Sequence, residues 1–271
     1  MRLQLILLIT LLLLPLSHTA TVKVIKPAEK EMEGGEIELG LVGPGQTIEL
    51  EVDRNVYSGG KFGKGGQWDI LRVLSVPDGW SSEDSRIYEQ PMKAKIKVAR
   101  GARDGTYRIA LVAVDENNYD ELGNVSFFAN VTVSKDVLST VLDKNMIETG
   151  SSQPASYCMD IENRGAASDV FEISCFGVPS WNYAKKVFVP FMSKRKVCYD
   201  VVANEEKVYT ATLSIVSLSS PLIRNDHNIT TVVKSDVLGD YRACANGLLI
   251  FPLMEQPIYS LMGLLSNFFG G

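Results

Sequence analysis

Four cysteines, Cys158, Cys175, Cys198 and Cys244, carry the most distinctive chemistry in this 271-residue chain. Their separations of 17, 23 and 46 residues match no pattern of closely paired zinc ligands. An even set of thiols in an exported chain points instead to disulfides. Nucleophilic catalysis by serine or cysteine needs a base, and past the N-terminal segment the one histidine is His227. It falls in a strand-like stretch, where an exposed strand histidine is the simpler reading. The densest group of oxygen ligands is Asp115, Glu116, Asn117, Asp120 and Glu121. Calcium takes six to eight oxygens, so this cluster is a weak calcium candidate. It lacks the spacing of an EF-hand loop and reads more simply as a solvated hairpin tip. Otherwise no cofactor is expected. The glycine-rich run from Gly59 to Gly66 has no Gly-Lys-Ser/Thr and no strand-to-helix setting, so it is not a phosphate loop. Tyr57, Phe62 and Trp68 flank or occupy it, and as exposed aromatics they are candidates to stack on a glycan or anchor a protein.

The elements that must position these residues are strands. Segments 21–25, 36–41, 47–52, 68–76, 93–98, 106–114 and 124–133 are short and punctuated by Gly, Pro, Asn or Asp. Most of them alternate apolar with polar residues. Ile48-Glu49-Leu50-Glu51-Val52 and Ala94-Lys95-Ile96-Lys97-Val98 have a clean period of two, which predicts strands with one buried and one wet face. About seven such strands in some 110 residues predict a sandwich of two antiparallel sheets.

The scheme then repeats. Val76-Pro77-Asp78-Gly79-Trp80 is echoed by Val178-Pro179-Ser180-Trp181, and Asp104-Gly105-Thr106-Tyr107 by Glu206-Lys207-Val208-Tyr209. A basic strand start lies thirteen residues beyond each tryptophan, at Lys93 and at Lys194. Matched order and spacing imply duplication of one unit. The expected units are 21–135 and 136–236, joined closely enough to stack end to end. Trp80 and Trp181 are assigned to the two cores.

Both ends differ from the body. Arg2 followed by an apolar Leu3–Leu16 and a short polar exit to Ala20 is the layout of a secretory signal peptide over 1–20. The alternative is an uncleaved anchor, and either reading places the protein outside the cytoplasm, secreted or at the cell surface. The segment 237–271 turns apolar. Ile258, Leu261, Met262, Leu265, Phe268 and Phe269 recur at helical spacing after Pro257, predicting a short hydrophobic helix. It is too short to cross a bilayer alone. Three roles are open to it: contact with an envelope protein or a second copy, attachment to a membrane surface, or packing on its own sandwich. Asn124, Asn130 and Asn228 head Asn-x-Ser/Thr triplets and are candidate glycosylation sites. With a formal charge of -5 and one basic cluster, Lys194-Arg195-Lys196, the chain lacks a nucleic-acid footprint.

Tyr157-Cys158-Met159-Asp160-Ile161-Glu162-Asn163-Arg164-Gly165 resembles the Asn-x-Gly strand of NEW3/CARDB-like domains. These are immunoglobulin-related modules of prokaryotic, largely archaeal, surface proteins. The Pro-x-Trp and Gly-x-Tyr elements extend the resemblance, although Lys207 replaces the glycine in the second unit and the first unit lacks the Asn-x-Gly end. The resemblance implies an all-β chain of two tandem immunoglobulin-like antiparallel sandwiches, flanked by an N-terminal signal helix and the C-terminal hydrophobic helix. In that sandwich type the strands carrying Cys158 and Cys198 are neighbours, and strand phase puts both sulfurs on the outer face, which pairs them and leaves Cys175 for Cys244. The expected function is a non-enzymatic envelope scaffold attached through its tail. The alternative is an adhesion module that binds glycan or protein through loops 57–68 and 115–121.

Overall fold

A computed structural model of the chain describes residues 19–234. The expected signal segment, Cys244 and the expected tail helix with its contact residues therefore lie outside the described residues. Within them no helix is long and apolar enough to cross a membrane.

The first eleven strands are β1 (Val22–Lys26), β2 (Lys30–Met32), β3 (Gly35–Val42), β4 (Thr47–Val52), β5 (Asn55–Val56), β6 (Gly66–Gln67), β7 (Ile70–Ser75), β8 (Ser81–Glu83), β9 (Met92–Lys97), β10 (Gly105–Val114) and β11 (Asn124–Val133). One sheet has the order β2-β1-β4-β9-β8 and the facing sheet β3-β11-β10-β7, with β5 and β6 forming a separate hairpin. The remaining strands are β12 (Leu138–Leu142), β13 (Met146–Thr149), β14 (Pro154–Asn163), β15 (Asp169–Phe176), β16 (Lys185–Val189), β17 (Ser193–Val202), β18 (Val208–Ser217) and β19 (Arg224–Val233). Here β12-β14-β17 faces β13-β19-β18-β15-β16.

The two orders are the same plan. In each, an early strand pairs in parallel with the last one, β3 with β11 and β13 with β19, while the other main pairings are antiparallel. Two facing sheets with this order are the immunoglobulin-like sandwich. The copies differ at their edges: β2 and β8 occur only in the first, β16 only in the second.

Alternation explains the sheets locally. Ile48, Leu50, Met92, Ala94 and Ile96 are fully buried between the sheets of the first sandwich. On the wet face Glu49 sits opposite Lys95 and Glu51 opposite Lys93. Opposite charges directly across a strand pair favour that register. Lys93 Nζ reaches both Glu51 (3.0 Å) and Glu49 (3.3 Å), and Lys26 adds a second cation to Glu51 at 3.2 Å. Burial alone pushes the Glu51 carboxyl upward, yet its hydrogen bonds to Lys93 and Lys26 hold it below the ordinary glutamate range.

The repeated motifs prove to be core pins. Trp80 packs against Tyr107 and Trp181 against Tyr209 in tilted pairs, each with ring centroids 5.3 Å apart. Tyr107 Oη donates to Arg103 O at 3.0 Å and Tyr209 Oη to Glu205 O at 3.4 Å. A tyrosine hydroxyl closing the corner onto a carbonyl four residues upstream is a recurrent device of these sandwiches. Gly105 has φ 154°, an angle that favours glycine, whereas Lys207 is not held at a positive φ, so the second copy keeps the tyrosine without the glycine. Trp80 and Trp181 are both buried, as their repeated position implied.

Strand phase also places the cysteines. Met159, Ile161, Tyr199 and Val201 point inward, and Cys158 lies opposite Cys198 on the outer face. The two form a disulfide joining β14 to β17. Cys175 is buried in the second core and has no disulfide partner among the described residues, which do not include its expected partner Cys244. The basic run Lys194-Arg195-Lys196 lies on β17, where Lys194 pairs with Asp160 at 2.9 Å and Lys196 with Asp143 at 2.6 Å. Its charge is therefore largely answered within the sheet.

Candidate functional site

Two places gather polar residues that the cores do not explain. One is the junction between the sandwiches. The turn Gly43-Pro44-Gly45-Gln46, between β3 and β4, meets the loops that follow β14 and β18. Gln46 is fully buried, and its Nε2 donates to Asp169 Oδ2 at 2.7 Å, across 123 residues of sequence. The same Asp169 accepts from Ser217 Oγ (2.6 Å), Ser219 Oγ (2.8 Å) and the Val170 N–H (2.8 Å). Gln46 Oε1 in turn accepts the Gly43 N–H at 2.7 Å. The buried carboxylate is thus answered wholly by neutral donors. Around this cluster Ala166 N–H donates to Leu41 O at 2.6 Å. Leu41 packs against the second core and Ala167 belongs to the first. Gly45 has φ 76°, and a side chain there would run into the Ser219 carbonyl. Only glycine permits that approach at that backbone angle.

The other place is the end of the first sandwich away from that junction, beside Thr19 and Ala20. Loops 53–69 and 115–123 meet there. Lys61 N–H donates to Asp120 O (2.7 Å) and Gln67 N–H to Asp120 Oδ2 (2.8 Å), and Gly66 leaves the space that the Asp120 side chain occupies. The two loops thus form one surface. A groove of about 950 Å³ runs between them, lined among others by Arg54, Tyr57, Asp69, Tyr88, Asn117 and Tyr119.

The sequence-derived binding residues separate on this surface. Tyr57 is 75% exposed and lines the groove. Phe62 is 84% exposed but sits on the other side of the loop, in a second hollow with Thr19 and Ala20. Trp68 is no contact residue, which corrects the expectation. It is fully buried in the first core, and its Nε1 donates to Thr21 O at 3.3 Å. The chain has already re-entered the sandwich by that point, so the indole anchors the loop from beneath. Tyr88, Arg54 and Asp69 join the site without having been singled out, because they come from aperiodic segments that converge only in the fold.

The proposed calcium oxygens are largely engaged by donors of the protein itself. Asp115 accepts from the Tyr119 and Leu122 N–H groups, Glu116 pairs with Arg72, and Glu121 with Lys61. Asn117 donates from its backbone to Asp69 and from its amide to Tyr88 Oη. Among the described residues no cluster of three or more His, Cys, Asp or Glu could hold a metal. His227 Nε2 lies 2.6 Å from Thr140 Oγ1 and ties β19 to β12. Of the candidate glycosylation sites, Asn124 and Asn228 are exposed, whereas the Asn130 amide already donates to Glu36 and Glu38.

No family model matches the sequence, and no curated protein does. Among solved structures, the chain is similar to a chimeric titin Z1Z2 functionalised with an exogenous decorin peptide. That match has 10% identity and a TM-score of 0.36, over 80% of this chain and 99% of that one. Fibronectin(III)-like modules of Clostridium thermocellum CbhA match at 12% identity and a TM-score of 0.26, over 79% and 94% of the two chains. A CARDB domain from Pyrococcus furiosus matches at 12% identity and a TM-score of 0.27, over 36% and 90%.

Proposed function

We propose that this chain is an exported, non-enzymatic spacer of the cell envelope, related to NEW3/CARDB-like modules. Its two sandwiches, 21–135 and 136–236, act as one rod, attached through the 237–271 tail to an envelope partner or a membrane surface. The observation that carries the reading is the buried Gln46–Asp169 lock at the junction. Flexibly strung modules meet through solvated linkers and small interfaces. Here a carboxylate is buried between the units with all its partners in fixed geometry, an arrangement that tolerates little relative motion. The disulfide between Cys158 and Cys198 fits an oxidising compartment.

The test has two arms. Spin labels at Glu83→Cys and Lys186→Cys, on different sandwiches, should give one narrow distance distribution. A broad distribution removes the rod. Cross-linking on intact source cells, read by mass spectrometry, should join tail peptides to an envelope neighbour. A chain found free in the medium without partners removes the attachment.

A further inference from the structure

We infer that the groove at the end of the first sandwich away from the junction is a binding site for a neutral oligosaccharide. All four exposed aromatic side chains described in that sandwich, Tyr57, Phe62, Tyr88 and Tyr119, gather at this one end. Three of them, Tyr57 (75% exposed), Tyr88 (52%) and Tyr119 (83%), rim the same groove. A tyrosine ring offers a rigid, amphipathic contact at low entropic cost.

The floor between them is polar and already positioned. Arg54 Nε donates to Trp68 O at 2.8 Å, its guanidinium lies 5.1 Å from the Tyr88 ring centre, and its far nitrogen is 3.9 Å from Asp69 Oδ1. Asn117 donates through Nδ2 to Tyr88 Oη at 2.8 Å. These bonds fix the Arg54, Asp69 and Asn117 head groups. They leave guanidinium donors, the Asn117 Oδ1 acceptor and the Tyr57 and Tyr119 hydroxyls without a protein partner among the described residues.

That combination selects the ligand class. A pyranose presents a C–H face, which packs on an aromatic ring, and a rim of hydroxyls that both donate and accept. The groove offers flat rings beside fixed donors and acceptors, the pattern of few placed polar groups among larger contact surfaces. An anionic ligand is disfavoured, because the lining sets Arg54 and Lys64 against Asp69, Asp115 and Asp120. An apolar ligand would strand the polar floor. The groove is open along its length, which suits a chain of sugars.

The inference stands apart from the spacer reading, since the rod can be stiff with this end empty. The experiment titrates the full chain with tetrasaccharides of glucose, mannose and N-acetylglucosamine, by calorimetry and by backbone amide shifts. At least one should bind saturably, shifting resonances of residues 54–57, 69 and 117–119. Tyr57→Ala and Tyr119→Ala, both at exposed positions, should each weaken binding fivefold or more. Phe62→Ala, across the loop, should leave it unchanged. No saturable binding by any of the three, shifts confined elsewhere, or binding that survives the double tyrosine variant would overturn the assignment. So would capture of a polypeptide at the same loops with no competition from sugar.

Discussion

At the scale of single residues, Cys175 is a group whose environment strongly alters its chemistry. Its side chain is fully buried among Tyr157, Tyr199 and Trp181 in the second core, and burial pushes the thiol up to about 11 from an ordinary 9.0. A thiol held protonated is a poor nucleophile and is shielded from reagents. Native protein at pH 8 should therefore resist iodoacetamide at Cys175, whereas unfolding without reductant should expose it to alkylation. A Cys175–Cys244 peptide in the same non-reducing digest would show the thiol to be bonded instead. The linkage has a definite sign. The folded state keeps a proton that the unfolded chain releases above about pH 9, so this contribution to stability is complete below pH 9 and is lost as pH rises toward 11. Cys175→Ala should flatten the decline in denaturation midpoint between pH 9 and pH 11. Tyr199, pushed up to about 12 by burial, continues the same trend at higher pH.

At the scale of elements, the clearest weak point is β17. It pairs with β14 on one side only, and the first sandwich covers the equivalent edge of β9 with β8. The second sandwich has the disulfide in place of that extra strand. Closing the 40-residue separation between Cys158 and Cys198 stabilises by about 4 kcal/mol in the chain-entropy treatment. Cys158→Ser with Cys198→Ser should lower the unfolding free energy of the second sandwich by about that amount, read by guanidinium titration. An unchanged unfolding free energy would show that edge packing, not the cross-link, holds β17. This pairing was legible in the sequence because alternation along two strands fixes which residues share a face, and the family resemblance supplied the neighbours. The duplicated Trp–Tyr pins were legible for the same reason, as spacing along the chain maps directly onto sheet position. Trp68 was not, because the Gly59–Gly66 run masks the point where the chain turns back into the core. Arg54, Asp69 and Tyr88 carry no periodicity at all, and their convergence depends on loop conformations such as the φ of 62° at Tyr88.

At the scale of the whole molecule, the question is whether two sandwiches unfold as one. Neither Gln46 nor Asp169 stands out locally, and no pattern links residues 123 apart, so the lock emerges only from the fold. Its energetics follow from what removal would strand. Gln46→Ala deletes one donor to the buried Asp169 carboxylate and the acceptor of the buried Gly43 N–H. Asp169 keeps its Ser217, Ser219 and Val170 donors, so the Gly43 N–H is the group left unsatisfied, which places the expected loss at about 1–3 kcal/mol. That loss falls on the coupling, since the strands of both cores are untouched. Wild type should therefore melt in a single calorimetric transition, and Gln46→Ala should separate it into two. Gln46→Glu is a sharper probe, because it keeps the side-chain shape while setting a second carboxylate 2.7 Å from the first. Two like charges that close in a buried site repel far more than a missing hydrogen bond costs. At neutral pH the glutamate variant should decouple more completely than the alanine variant, and the spin-label distance across the junction should broaden in the same order. Equal, single transitions in all three proteins would mean that Leu41, Ala167 and the glycine turn hold the junction without the polar lock.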